Sequence, residues 1–384
     1  MMRTLKGKFS REGFALVMAL GALVIVGTLI AGSAFVVMQE TRLGRNQLVQ
    51  GRAFAAAEFG LNKVQADWDK TPNLQMNNGA MFDTTYSIPG QGTARVRYTR
   101  LNNETFWITS EGRVGVGSST DPKSMAIKRV NAILRLRIPS VRANGAITSS
   151  GSIDIKGSAQ VLGTNTIPPG WVGCDATAAN KAGIVAPPSA SVTIQKPTSV
   201  IGTPQVLRDS LAADSATYIR YGDETWNTLQ AQANIIIPAG GGPNGVDPVA
   251  LNGACLRGPT NWGEPNRGAG SVAACYNYFP IIYSAGSLHL NNGRGQGILL
   301  VDGDLQINGG FTWSGLIVVR DDFDKGNGNA TIYGAVMARD ATIADNSFIQ
   351  GNTTYAYSEC ALDRAMRGSA QVVQARERAW AELF

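Results

Sequence analysis

From Phe14 to Met38 the chain runs for 25 residues without a charged side chain. A helix rising about 1.5 Å per residue would extend about 37 Å over that run, more than the ~30 Å hydrocarbon core of a bilayer. The run therefore reads as a membrane span. A cleaved secretory signal has an apolar stretch of only about 7 to 15 residues, which argues against cleavage near Gly32, Ser33 and Ala34. Arg3, Lys6, Lys8 and Arg11 precede the run, and Arg42, Arg45 and Arg52 follow it. Charge counting alone leaves the orientation open.

The remainder of the chain favours an inside leader and an external bulk. At 384 residues and 44% hydrophobic content, the chain can bury a sizeable core, and two folded parts are expected. The 45 glycines and only 16% charged residues favour strands joined by tight turns over a helical enzyme. His289 is the one histidine, which excludes histidine-rich metal sites. Half of the formal charge of +6 sits in the leader up to Glu12, so overall basicity is a weak argument for nucleic-acid binding. Cys174, Cys255, Cys275 and Cys360 are widely spaced and form no CxxC pair, which fits an oxidising compartment and up to two disulfides. Cys255 with Cys275 is the expected pair, leaving Cys174 with Cys360, although four cysteines allow three pairings.

Lys6-Gly7-Lys8-Phe9-Ser10-Arg11-Glu12-Gly13, followed by Phe14-Ala15-Leu16-Val17-Met18, resembles a prepilin peptidase site. Residues 39–68, above all Ala53-Phe54-Ala55-Ala56-Ala57-Glu58-Phe59-Gly60-Leu61, are similar to the start of PilX-type minor pilins of type IV pili. The resemblance covers roughly the first 65 residues. It implies cleavage after Gly13, N-methylation of Phe14, residence in the inner membrane and then display at the cell surface in a pilus. The implied partners are prepilin peptidase and, through the helix, major and other minor pilins. Major pilins of this family carry Glu at the fifth mature position, where this chain has Met18. That carboxylate is thought to pair with a neighbour's terminal ammonium, because an unpaired charge in a low-dielectric bundle is costly. Its replacement by Met18 implies a tip or initiation subunit.

Phe54, Ala57, Leu61, Val64 and Trp68 form an apolar stripe at helical spacing, and Pro72 ends the pattern. Downstream, residues 94–101 and 105–111 alternate around Asn102-Asn103 as a hairpin. Residues 126–138 alternate most clearly, with Val130, Ala132, Leu134, Leu136 and Ile138 on one face. Between Arg95 and Arg142 there are ten basic and three acidic residues, a local net charge of +7. Without interleaved aromatics or a nucleic-acid motif, a solvated sheet face is the favoured reading.

At Ala143 the texture changes to short apolar strands punctuated by glycine. Residues 297–357 hold three segments of about 18 or 19 residues that each open with glycine and an apolar strand, a solenoid period. Residues 145–163 and 281–291 have the same texture.

The expected fold class is α+β and β-solenoid: a long N-terminal transmembrane helix packed on an antiparallel sheet, then a glycine-rich parallel β-helix-like domain and a C-terminal helix. The expected boundaries are a leader at 1–13, helix at 14–71, sheet at 72–140 and β-helix-like domain at 141–358. An irregular insertion with a short helix is expected at about 168–280, and a terminal helix at 359–384 that caps the column or, as the less favoured reading, docks on a neighbour.

An enzyme is the competing class, because β-helices host polysaccharide lyases. Asp302, Asp304, Asp321, Asp322 and Asp324 would hold Ca²⁺, with Arg320, Lys325 or Arg339 as the basic partner. No GxSxG, Walker A or HExxH motif is present. Trp171, Trp226, Trp262 and Trp313 are assigned no sugar-stacking role. The expectation is a non-enzymatic minor pilin with no cofactor beyond structural Ca²⁺ on Asp302, Asp304 and Asp321. Its ligand would be a surface, a cell or DNA. A secretion-system pseudopilin is the alternative, and a membrane-anchored polysaccharide-degrading enzyme ranks below it.

Overall fold

The computed structural model describes residues 12–68, 76–90, 92–115, 125–141, 143–243, 245–325, 329–338, 346–349, 353–374 and 380–383. The leader to Arg11, Pro72 and Arg339 lie outside the described residues.

A single helix, α1 (Glu12–Ala66), is continuous through the apolar run and the amphipathic stripe as far as Val64; it ends short of the expected residue 71, and Trp68 follows in the turn after it. Its second half packs on an antiparallel sheet of β1 (Met81–Ile88), β2 (Gly92–Arg100), β3 (Thr105–Gly115) and β4 (Met125–Arg137), in that order. The stripe forms the seam. Ala57, Leu61, Val64 and Trp68 are buried with Val96, Tyr98, Phe106, Ile108, Val130, Ala132, Leu134 and Leu136, and Phe54 is partly buried beside them. Trp68 meets Phe106 edge-on at 4.8 Å. Burial of large apolar side chains of this kind contributes about 1.5–3 kcal/mol each.

Small residues let the helix lie close. A side chain at Gly60 would come within 2.5 Å of Ser110 Oγ and 2.7 Å of Ala94 Cβ. The β2–β3 turn is held by Asn102, whose Oδ1 accepts from the Glu104 and Thr105 amides at 2.9 and 2.8 Å.

Two parallel sheets build the second body. In the larger one, strands Ile281–Ser284, Gly293–Val301, Phe311–Val319 and Ala330–Ala338 lie side by side. Ile281 faces Ile298, Ile298 faces Leu316, and Leu316 faces Ala335, so successive steps are 17, 18 and 19 residues. The smaller sheet stacks Leu288–Leu290, Leu305–Ile307, Phe323–Lys325 and Asn346–Ile349. Central parallel strands are buried on both faces, which explains the unbroken apolar runs Ile298–Val301 and Leu316–Val319, all fully buried.

The order of stacking is not the order of the chain. Ile147 pairs with Val336, Ile153 with Ser347 and Val161 with Tyr355, so the first strands of this body sit on its last repeat. Strands Ala182–Ala186 and Val192–Ile194 continue beyond them, while Ile235–Ile237 pairs with Ile281–Ser284 at the other end. The span 168–280, expected from sequence as an irregular insertion with a short helix, is irregular at 168–181 and over most of 238–280 but is not wholly so. It supplies short strands of the stack, together with the helix Trp226–Ala231. Strands of three to five residues with distant partners leave little periodicity to detect.

The C-terminal segment departs from expectation twice. Its helix, Glu359–Gly368, lies against the side of the stack and does not cap an end. It is seated over Gly297, Gly315 and Gly334, which face one another in adjacent strands with φ of 117°, 140° and 135°. A Cβ on Gly315 would approach that of Ala365 to 3.0 Å. Beyond the helix the chain is extended: Gln371–Gln374 and Trp380–Leu383 both pair antiparallel with β4. An uncovered edge on β4 outweighed the weak helical spacing of the tail.

Candidate functional site

Among the described residues, the first half of α1 packs against no other part of the chain. From Leu16 to Leu48 its large apolar side chains are between 51 and 69% exposed. The helix is long and apolar enough to cross a membrane, with a mean hydropathy of 2.4 over its most apolar window. Its hydroxyls are satisfied internally, as an apolar environment requires. Thr28 Oγ1 donates to the Ile25 carbonyl at 2.9 Å, Ser33 Oγ to Ile30 at 2.9 Å and Thr41 Oγ1 to Val37 at 2.7 Å. Gly13 and Phe14 fall in the first turns of this helix, and Met18 is 62% exposed on it.

The second half of α1 holds that unpartnered stretch on a rigid base. On the outer face of the supporting sheet, Asp83 accepts from Arg95 at 2.8 Å and from Arg97 at 2.7 Å. The Arg97 bond is the main cause that holds the Asp83 carboxyl down, at about 2. Glu111 accepts from Arg113 at 2.5 Å and Arg129 at 2.6 Å. Burial raises the Glu111 pKa, but the two guanidiniums more than offset that and the net direction is down. Arg135 pairs with Glu104 at 3.3 Å, and Arg137 reaches the buried Glu224 of the second body at 3.2 Å. Six of the arginines that made the sequence stretch look like a basic patch (Arg95, Arg97, Arg113, Arg129, Arg135 and Arg137) sit about half-exposed in ion pairs. Two of their carboxylate partners, Asp83 and Glu224, come from outside that stretch.

The cysteines are joined as Cys174–Cys360 and Cys255–Cys275. The first bond ties the loop after Gly163 to the C-terminal helix.

The aspartates considered for Ca²⁺ are not brought together as a ligand set. Asp302 accepts from Arg320 at 2.9 Å and from the Tyr283 hydroxyl at 3.2 Å. Asp304 accepts from the Asp322 amide at 3.1 Å and lies 3.3 Å from Ser287 Oγ. Asp321 uses its backbone amide toward Gly303, 3.4 Å away. Among the described residues no three acidic, histidine or cysteine side chains are grouped so as to hold a metal. Trp171, Trp226, Trp262 and Trp313 are all buried, with Trp262 and Trp313 packed edge to face at 6.2 Å.

No protein-family model matches the chain, and no curated protein matches it. Among solved structures, the competence-associated pilin ComZ from Thermus thermophilus matches at 14% identity, over 87% of this chain and 98% of that one. The TM-score is 0.24, too low for the likeness to establish a shared fold.

Proposed function

We propose that this chain is a minor pilin of a type IV pilus, cut after Gly13, methylated at Phe14 and assembled through the exposed half of α1. The observation that carries the reading is the contrast within one continuous helix. Ala57, Leu61, Val64 and Trp68 are covered by the chain's own sheet, whereas Leu16 to Leu48 find no cover among the described residues. An apolar surface of that length needs lipid or the helices of other subunits. The leader pattern up to Gly13 supplies the route to both.

On this reading the subunit first resides in the inner membrane and then moves to the cell surface at the pilus tip. Met18 leaves the helix without the carboxylate that would pair with a subunit's terminal ammonium. The parallel-stranded body, read as a β-helix-like display domain, is bulky for a position repeated along a slender fibre. Its role would be assembly and initiation, with adhesion or DNA uptake through the displayed body.

The mature N-terminus tests the reading directly. Mass spectrometry is expected to find N-methyl-Phe14 as the first residue, and a retained Met1 or a start near Phe35 would exclude it. Deletion is expected to reduce surface piliation while leaving protein secretion intact, which separates a pilus subunit from a secretion pseudopilin.

A further inference from the structure

A cleft of about 750 Å³ lies between the antiparallel sheet and the parallel-stranded body. Arg100 from the end of β2, Arg267 from the loop after Trp262, and Arg364 and Arg367 from the C-terminal helix all line it. Against these four guanidiniums stands one carboxylate among the described lining residues, Asp363, which accepts from Arg367 Nε at 2.8 Å.

The other three cations are held by neutral acceptors. Arg100, only 5% exposed, donates to the carbonyl oxygens of Met76 and Asn102 and to Asn103 Oδ1. Arg267 donates to the carbonyls of Glu264, Asn266 and Tyr276, and lies 4.0 Å from the Tyr276 ring centre and 4.9 Å from that of Trp171. Arg364 donates to the Val172 carbonyl and lies 4.8 Å from the same Trp171 ring. The Glu264 carboxylate is committed elsewhere, to Arg294 and to the Asn266 and Val272 amides. Burial, and after it the neighbouring Arg364, pushes Arg267 down to about 10. Burial also lowers Arg100, and Arg367 adds to the effect.

Carbonyl dipoles fix the guanidinium forks but do not neutralise them, and clustered like charges withdrawn from water are costly. The outer face of the sheet shows how this chain treats arginines that only need a partner. There Arg95 and Arg97 share Asp83, and Arg113 and Arg129 share Glu111. Among the described residues the cleft has less of that compensation, with Asp363 near Arg100 and Arg364 and the buried Glu264 near Arg267 acting at longer range, and its volume lies in the range of small-molecule sites, about 300–1,000 Å³. We propose that it binds a small multivalent oxyanion, a polyphosphate or polycarboxylate, across Arg100, Arg267, Arg364 and Arg367. Guanidinium forks match the paired oxygens of either group.

The test is calorimetric titration of the detergent-solubilised full chain with pyrophosphate and, separately, with citrate. Saturable binding of one anion per chain is expected, weakening at least tenfold in Arg364→Gln and in Arg367→Gln. Tighter binding of pyrophosphate assigns a phosphate ligand, and tighter binding of citrate a carboxylate. Arg367 is partly exposed and its polar side-chain contact is the surface pair with Asp363, so Arg367→Gln decides the matter if Arg364→Gln does not fold. Absence of saturable binding by both anions overturns the proposal. So does unchanged affinity in a folded Arg367→Gln protein.

Discussion

Gly112 of β3 lies so close beneath Ala53 of α1 that a Cβ at position 112 would overlap the Ala53 carbonyl oxygen and crowd the Ala57 amide. Both obstacles are backbone, so neither can swing aside. Gly112→Val is expected to cost about 3 kcal/mol or more, because the helix must lift off the sheet to admit it. Denaturant unfolding of the detergent-solubilised chain, followed by tryptophan fluorescence, measures this. An unchanged midpoint would mean that the helix is not seated as described.

The opposite change, removal of bulk, probes the same seam from within. Trp68→Ala is expected to cost about 3–5 kcal/mol, since Trp68 fills the space between Tyr98 and Phe106. The same unfolding measurement applies, and a loss below about 1 kcal/mol would place Trp68 outside the core.

Acid should weaken the sheet through Asp83. Its folded pKa of about 2 lies below the ordinary value of 3.8, so the stability it contributes is present above about pH 4 and is lost as pH falls toward 2. Glu111 shifts in the same direction and adds to the same acid-side loss. Asp83→Asn should flatten the fall of the thermal midpoint between pH 4 and 2. Its effect at pH 7 should be no more than about 1 kcal/mol, because the ion pairs are partly exposed. A fall of unchanged steepness in the double variant Asp83→Asn with Glu111→Gln would assign the acid sensitivity to other groups.

The Cys174–Cys360 bond joins residues 186 positions apart and anchors the C-terminal helix. Replacing both cysteines by alanine is expected to destabilise the chain by about 2–5 kcal/mol. It should also speed proteolysis within residues 359–374 relative to the sheet. Equal protection of that segment with and without the bond would show that burial of Ala361, Ala365 and Met366 suffices to hold it.

Restoring a carboxylate at position 18 tests the tip assignment. Met18→Glu should raise the number of copies per filament, as counted by immunogold labelling, without altering unfolding of the sheet. An unchanged copy number would remove Met18 from the argument for a tip position.

Much of this arrangement was legible wherever a local period met a local partner. The spacing of Ala57, Leu61, Val64 and Trp68 announced the seam, and the alternation of Val130, Ala132, Leu134 and Leu136 announced β4. β1 fell inside the expected sheet at 72–140 but was not singled out as a strand, because an edge strand keeps water on one side and its residues are mostly exposed. Val192–Ile194 and Ile235–Ile237 escaped because three residues carry no period, and their partners lie tens of residues away. The arginine cleft was invisible for a related reason: Arg100, Arg267 and Arg364 are separated by long stretches of chain and meet only when the two bodies close on each other.

The pairing of Gln371–Gln374 and Trp380–Leu383 with β4 also bears on manufacture. A ribosome delivers α1 and the first four strands long before the residues that cover the edge of β4, and the earliest strands of the parallel stack, paired on one side with residues 182–201, wait for residues 330–357 to cover the other. A chain interrupted late in synthesis would present two open sheet edges at once, each a template for pairing with another chain.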